Sequence, residues 1–391
     1  MASALPARPS LDWLRKTAKQ HLHELRRRQP DAQLADAQLA IAREYGFSSW
    51  RALKAHIEAH YSANTEFSDD AAVGQFLRDV RSGAVDAVRA ALAASPSLVN
   101  CLGPHPHWGG RVQPLHMAIE GGNREIFDLL IAAGADVNGN NESYESWSPL
   151  MLTEHRERWA MRTALLDRGA HIGLAESLVL GDDRRVDNLL RSGPGALAAR
   201  PPGGGSWLAH ARTPHAALRL LELGADPTMP DVFGMTPVET FSRLGERGRP
   251  LVEILRRSGV EPKPSVHARL ADRKALEQVI AADPGIARDD EVLMSAIESG
   301  AYDLVAWLLQ KGANPNARTS FGSQCMALHG AAWNGNLRMA QLLVDAGADI
   351  RGLDVEHSNT PSGYARVSRR ITGNAACDAV AEYLEALERS S

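Results

Sequence analysis

Pro114-Leu115-His116-Met117-Ala118 and, further on, Gly134-Ala135-Asp136-Val137-Asn138 decide how this chain folds. Pro114 suits the first turn of a helix, where no backbone donor is needed. Leu115, Ala118 and Ile119 then make a short apolar stripe, and Gly121-Gly122 break it. Ile126, Leu129, Leu130 and Ala133 recur at helical spacing. Gly134 supplies the left-handed residue that ends this second helix. The closing phrase returns as Gly169-Ala170-His171, Gly224-Ala225-Asp226-Pro227, Gly312-Ala313-Asn314-Pro315-Asn316 and Gly347-Ala348-Asp349-Ile350. From Gly134 to Gly169, from Gly224 to Gly259 and from Gly312 to Gly347 the interval is 35 residues. A helix pair this short cannot bury its apolar face alone, so successive pairs must stack.

A period in the thirties with two short helices per unit resembles the ankyrin repeat. The expected fold is all-α: an ankyrin-repeat solenoid of about ten units, continuous from about Asp69 to Leu387. Residues 1–66 form a helical N-terminal leader or cap, and residues 67–391 form the repeats. Three units are abbreviated and end at Ala94-Ser95-Pro96-Ser97-Leu98, Ser192-Gly193-Pro194-Gly195-Ala196-Leu197 and Ala282-Asp283-Pro284-Gly285-Ile286. Their prolines lie about three ordinary repeats apart. This predicts a super-period of one short and two fuller units, three times over, with a last unit at Thr360-Pro361 as a cap.

Composition narrows the function classes. A net charge of −4 gives no global attraction to nucleic acid or membrane. Cys101, Cys325 and Cys377 have neither disulfide-framework nor zinc spacing, which fits a reducing cytoplasm. Met1 to Arg15 lacks a signal-peptide apolar stretch, and no run reaches membrane-spanning length. The expectation is a cytoplasmic protein with no membrane contact.

The leader reads as three helices. Ser10 caps a stripe of Leu11, Leu14, Ala18, Leu22 and Leu25. A second helix runs through Leu34, Gln38, Ile41 and Tyr45, and a third carries Trp50, Leu53 and Ile57. The phrase from Ile41 to Trp50 resembles the leader found ahead of repeats in bacterial ankyrin proteins. Helix, Gly-containing turn, helix is also the grammar of a DNA reader, and residues 1–60 carry a local excess of Lys and Arg. The last helix, however, spends Trp50, Leu53 and Ile57 on packing and leaves Arg51, Lys54 and His56 to read bases. Nucleic acid is therefore a disfavoured partner.

The resemblance implies that His116 and His329, which occupy the histidine of the family's Pro-Leu-His phrase, tie neighbouring hairpins together. It also implies a concave face lined by first helices and fingers. Aligning the units places Glu120, His155, Glu298 and Trp333 at one equivalent position there. The first finger carries an insertion, Gly103 to Gly110, with His105, His107 and Trp108, and the next carries Tyr144 and Trp147. Insertions of this kind map to loops on one face. These nine residues are the candidate ligand- or partner-binding set. The favoured function is a scaffold holding a protein or peptide in the groove.

The alternatives are an enzyme or small-molecule binder with a pocket near residues 103–110, and a regulator contacting nucleic acid through the leader. A Glu120–His155 acid/base pair is one catalytic arrangement, on adjacent first helices roughly 10 Å apart. His105 and His107 lack a third ligand at fixed spacing, so no metal site is assigned. No motif names a cofactor, and no Gly-x-Ser-x-Gly elbow is present. Pro201-Pro202 with Gly203-Gly204-Gly205 lacks the ending of a phosphate loop and reads as a flexible finger.

Overall fold

The computed structural model describes residues 34–45, 50, 53, 70–106, 110–139, 147–319, 324–355 and 357–390. Among these residues are nineteen α-helices and one two-stranded sheet, so the fold is the all-α repeat solenoid that the spacing predicts. The chain divides into two compact units, Met1–Leu152 and Thr153–Ser391.

In the first unit, the helix Leu34–Glu44 buries Ala37, Ile41 and Ala42, as its apolar spacing requires. The rest of the leader, apart from Tyr45, Trp50 and Leu53, lies outside the described residues. Two helix pairs follow: Asp70–Ser82 with Val85–Ala94, and Pro114–Glu120 with Arg124–Ala132. First helix packs on first helix and second on second, around Phe76, Leu77, Val88, Met117, Ile126 and Phe127. The inserted finger between the pairs is a hairpin. Gly103–Pro104 pairs antiparallel with Arg111–Val112, Gly103 lying opposite Val112.

In the second unit, a row of first elements stacks in chain order. It runs through Leu174–Leu180, Trp207–His210, Pro237–Ser242, Pro264–Arg269, Asp290–Glu298, Ala327–Trp333 and Pro361–Thr372. Each is followed by a second helix, ending with Ala376–Ser390 against the last first helix. The three abbreviated repeats close alike: 3-10 turns occupy Pro96–Asn100, Leu190–Leu197 and Pro284–Arg288. The same 3-10 turn thus follows the second helix at all three places where the sequence reading puts an abbreviated unit.

The same local chemistry is reused along the chain. The closing glycines adopt left-handed backbone, with φ of 91° at Gly134, 92° at Gly312 and 90° at Gly347. An Asx side chain caps four of the second helices: Asn123 accepts from Ile126 N–H, Asp182 from Arg185, Asp272 from Ala275 and Asn336 from Met339, all at 3.0–3.1 Å. Each such cap satisfies an otherwise orphaned donor and is worth roughly 1 kcal/mol. Asn316 clamps the next repeat by accepting from Asp349 N–H at 2.7 Å and donating to the Gly347 carbonyl at 3.3 Å. Asn100 does the same to Asp136 and Gly134.

The two motif histidines are ties. His116 Nε2 lies 2.9 Å from the Trp147 carbonyl, and His329 Nε2 lies 2.9 Å from the Asn359 carbonyl. Met326 N–H donates to His329 Nδ1 at 3.2 Å, which fixes the tautomer with its proton on Nε2.

Two expectations need correction. The unit after Asn140 lacks a first α-helix: Met151–Thr153 is a 3-10 turn, and so is Trp207–His210 in a later unit. At Thr153 the reason is a competing donor, because Arg162 Nη2 takes its carbonyl at 2.5 Å and Nε its hydroxyl at 3.2 Å. That carbonyl is therefore committed to a side chain outside the helical ladder. Secondly, the glycine run at 203–205 is docked against the next finger. Val232 N–H donates to the Gly203 carbonyl at 3.1 Å, and a Cβ on Gly205 would sit 2.8 Å from the Asp231 backbone.

Candidate recognition surface

The helix Asp290–Glu298 buries every residue from Val292 to Ile297 and exposes Glu298. The helix Pro114–Glu120 buries Pro114 through Ile119 and leaves Glu120 half-buried at its end. The helix Ala327–Trp333 ends likewise on a half-buried Trp333. In these three helices stacking consumes the apolar positions, and the last position is left for a polar or aromatic side chain. Glu120, Glu298 and Trp333 therefore do share one place in the repeat.

His155 does not share it. It is exposed, at the N-cap of the 3-10 turn Arg156–Arg158, because the helix that would have carried it stops at Thr153. Its neighbour Glu154 makes the contacts instead, 3.2 Å from Arg212 Nε and 3.7 Å from Arg247 Nη2. Glu120 and His155 fall in different compact units. The residue that meets Glu120 is His105, whose Nε2 lies 3.1 Å from the carboxylate. His105 is buried at the base of the inserted hairpin, where its amide also donates to the Gly110 carbonyl at 3.0 Å. Arg81, at the end of the preceding first helix, approaches the other Glu120 oxygen at 3.8 Å.

This arrangement of one carboxylate between two basic side chains recurs. Glu298 is bound by Arg269 and approached by Arg243 at 3.8 Å, and Arg269 also donates to Ser295 Oγ at 2.9 Å. Arg243, Arg269 and Glu298, with Ser242, Glu246 and Leu270, line an open cleft of about 520 Å³. Burial, reinforced by the neighbouring Arg243 charge, pushes the Arg269 pKa down to about 10. It remains cationic at neutral pH.

Trp333 stacks edge-on to Tyr364, with centroids 6.1 Å apart, and Ser368 Oγ donates to its carbonyl at 2.7 Å. Trp147 is half-buried, and its carbonyl receives the His116 tie. His107, Trp108 and Tyr144 lie outside the described residues. Among the described residues no cluster of three His, Cys, Asp or Glu side chains is placed to hold a metal. Burial raises the Cys101 thiol to about 12, so it is held as the neutral thiol.

Two features escaped the sequence reading. One is the arginine pairs, because Arg212, Arg243, Arg247 and Arg269 are scattered in sequence and meet their carboxylates only through stacking. The other is a set of exposed apolar side chains on fingers. Met229 and Phe233 stand on one and Leu353 and Val355 on another, with Phe233 59% and Val355 64% accessible. A scan for apolar residues inside turn phrases would have found these.

Comparison with known proteins agrees with this architecture. A family model described as ankyrin repeats (many copies) matches residues 293–344, and one for the single ankyrin repeat matches residues 113–142. The mouse B-cell lymphoma 3 protein homolog is 43% identical over 79 residues, covering 20% of this chain and 17% of that protein. The chain thus spans about a sixth of the length of this curated relative. The human ASB11 ankyrin repeat domain is 21% identical, with 66% of this chain and 96% of that chain covered and a TM-score of 0.25.

Proposed function

We propose that this chain, which is an ankyrin-repeat protein, is a recognition scaffold holding a protein or peptide partner along its row of first-helix ends and fingers. Ankyrin repeats are in general protein-interaction modules, and the proposal assigns that role to a particular surface. The observation that carries it is the division of labour within the first helices Pro114–Glu120, Asp290–Glu298 and Ala327–Trp333. Residues before the last are spent on stacking, and the last presents Glu120, Glu298 or Trp333. Side chains that the stack does not need are free to be specified for a partner. Aromatic and guanidinium groups, the commonest binding anchors, are present on this row as Trp333, Arg243 and Arg269. His105, His107, Trp108, Tyr144 and Trp147 extend the same reading to the first two fingers.

The division into a leader up to about residue 66 and repeats beyond belongs to this reading, supported by the repeat helix that begins at Asp70. So does a reducing, cytoplasmic setting, supported by the spacing of Cys101, Cys325 and Cys377, which matches no disulfide framework. No helix among the described residues is long and apolar enough to cross a membrane.

Site-specific photocrosslinking tests the proposal. A benzophenone amino acid at position 298 or 333 should trap a discrete partner in the native host. The same group at position 256 or 342, on second helices, should trap none. Adducts from the second-helix positions alone would overturn it.

A further inference from the structure

The two carboxylate-centred clusters of the second unit share a feature that points to the chemistry of a partner. In each, one arginine is largely buried and takes the carboxylate closely. Arg212 is 12% accessible and 3.2 Å from Glu154, and Arg269 is 15% accessible and bound to Glu298. The other arginine is exposed and further away. Arg247 is 65% accessible at 3.7 Å, and Arg243 is 50% accessible at 3.8 Å. Neither of these longer contacts is a hydrogen bond. By direct contacts each cluster sets two guanidinium groups against one carboxylate, an excess of one positive charge, while Arg162 acts on Glu154, Glu239 and Glu291 on Arg269, and Asp231 on Arg243 from further away. Glu246, which lies between the two exposed arginines in sequence, does not cancel that excess. Its two oxygens are taken by Arg249 at 2.8 and 3.1 Å.

Arg243 and Arg247 belong to one turn. They are four positions apart in sequence, so their Cα atoms are at most about 14 Å apart. An extended peptide advances about 3.3 Å per residue. Acidic side chains two to four positions apart on such a peptide would match the two guanidinium groups. The glutamates behind them do two things. They hold the buried arginines in place, and they leave the outer arginine of each cluster with donors directed at solvent. A carboxylate can accept bidentately from guanidinium, so an incoming acid forms the close geometry that the resident glutamate does not.

We propose that the turn Arg243–Arg247 is a docking site for an acidic peptide segment, with Arg243 and Arg247 as its two carboxylate clamps. This rests on the scaffold reading above and names the class of partner. A peptide suits it better than nucleic acid does, because the excess is local and small on a chain of net charge −4.

The test is fluorescence anisotropy of the full chain with three labelled probes. These are a peptide of glutamates alternating with alanines, the same peptide with lysines, and a thymidine oligonucleotide of equal charge. The acidic peptide should bind, and the lysine peptide should not. The double change Arg243→Gln with Arg247→Gln should weaken the acidic peptide by about tenfold or more. The charge-matched control, Arg256→Gln with Arg257→Gln on the second helix Arg249–Arg257, should leave binding unchanged. Equal loss in both double variants would reduce the effect to net charge and overturn the site. Tighter binding of the oligonucleotide, abolished by the first pair, would overturn the peptide assignment. No binding of the acidic peptide, alongside a crosslinked partner at position 298 or 333, would remove this inference and leave the scaffold standing. Absence of any crosslink would remove the scaffold itself.

Discussion

Acidification from pH 7 to pH 4 is expected to unfold both compact units, with the loss concentrated between about pH 6.5 and pH 4. His116 and His210 are buried, and burial lowers each pKa from 6.5 to about 4. For His116, hydrogen bonding to the Trp147 carbonyl opposes the shift without cancelling it. For His210, the nearby Arg212 charge adds to it. The sign follows from proton counting. Between the two pKa values the unfolded chain binds the proton and the folded chain does not, so stability falls as pH falls. Above pH 6.5 the contribution is complete, and below pH 4 it is gone. At 1.36 kcal/mol per pH unit, each histidine is worth on the order of 3 kcal/mol over this window. His329 is shifted in the same direction, again by burial. Thermal melts at pH 7.5, 6, 5 and 4 would measure this, with circular dichroism as the signal. Melting temperatures unchanged down to pH 4 would contradict the burial of these rings.

The second large effect is steric. A Cβ on Gly248 would lie 1.8 Å from the Phe241 carbonyl oxygen and 3.1 Å from Leu244 Cβ. Backbone cannot yield as a flexible side chain does, so Gly248→Ala must open the turn that carries Arg243 and Arg247. Overpacking of this kind costs about 3 kcal/mol or more. Gly245, three residues earlier, meets nothing within 4 Å but has φ of 60°. Gly245→Ala should therefore cost only the left-handed penalty, about 1–2 kcal/mol. Comparing the two melting temperatures separates crowding from conformation. A Gly248 variant as stable as the Gly245 variant would show that the turn is looser than described.

Much of the fold was legible because its determinants are local. Closing glycines, capping Asn and Asp residues, and prolines at helix starts each act within a few residues of themselves, so their recurrence spells the repeat. The three short units follow from the same local grammar, whereas the histidine ties, which span 31 and 30 residues, were implied by the ankyrin resemblance. Failures came where a distant side chain decided the outcome. Arg162 takes the Thr153 carbonyl and ends a helix, which moves the contact position from His155 to Glu154. Likewise, aligning the units put Glu120 at the same repeat position as Glu298 and Trp333, and Glu120 does end its first helix. Its partner His105 could be found only once the inserted hairpin had folded back onto that helix. The arginine clusters are the extreme case. Arg212 and Glu154 are 58 residues apart, and Arg269 and Glu298 are 29 apart. No spacing rule joins such pairs, since they meet only through the stacking of separate repeats.

The central claim is that partners lie along the first-helix ends and fingers, and hydroxyl-radical footprinting of the full chain with its crosslinked partner tests it most directly. Trp333 ends a first helix, whereas Trp307 lies on the second helix Tyr302–Gln310, and both are half-buried. The two tryptophans thus form a matched pair of reporters with comparable initial reactivity. Adding partner should protect Trp333, together with Phe233 on its finger, by several-fold and leave Trp307 unchanged. Protection of Trp307 with Trp333 and Phe233 still fully reactive would place the partner on the second helices and contradict the account.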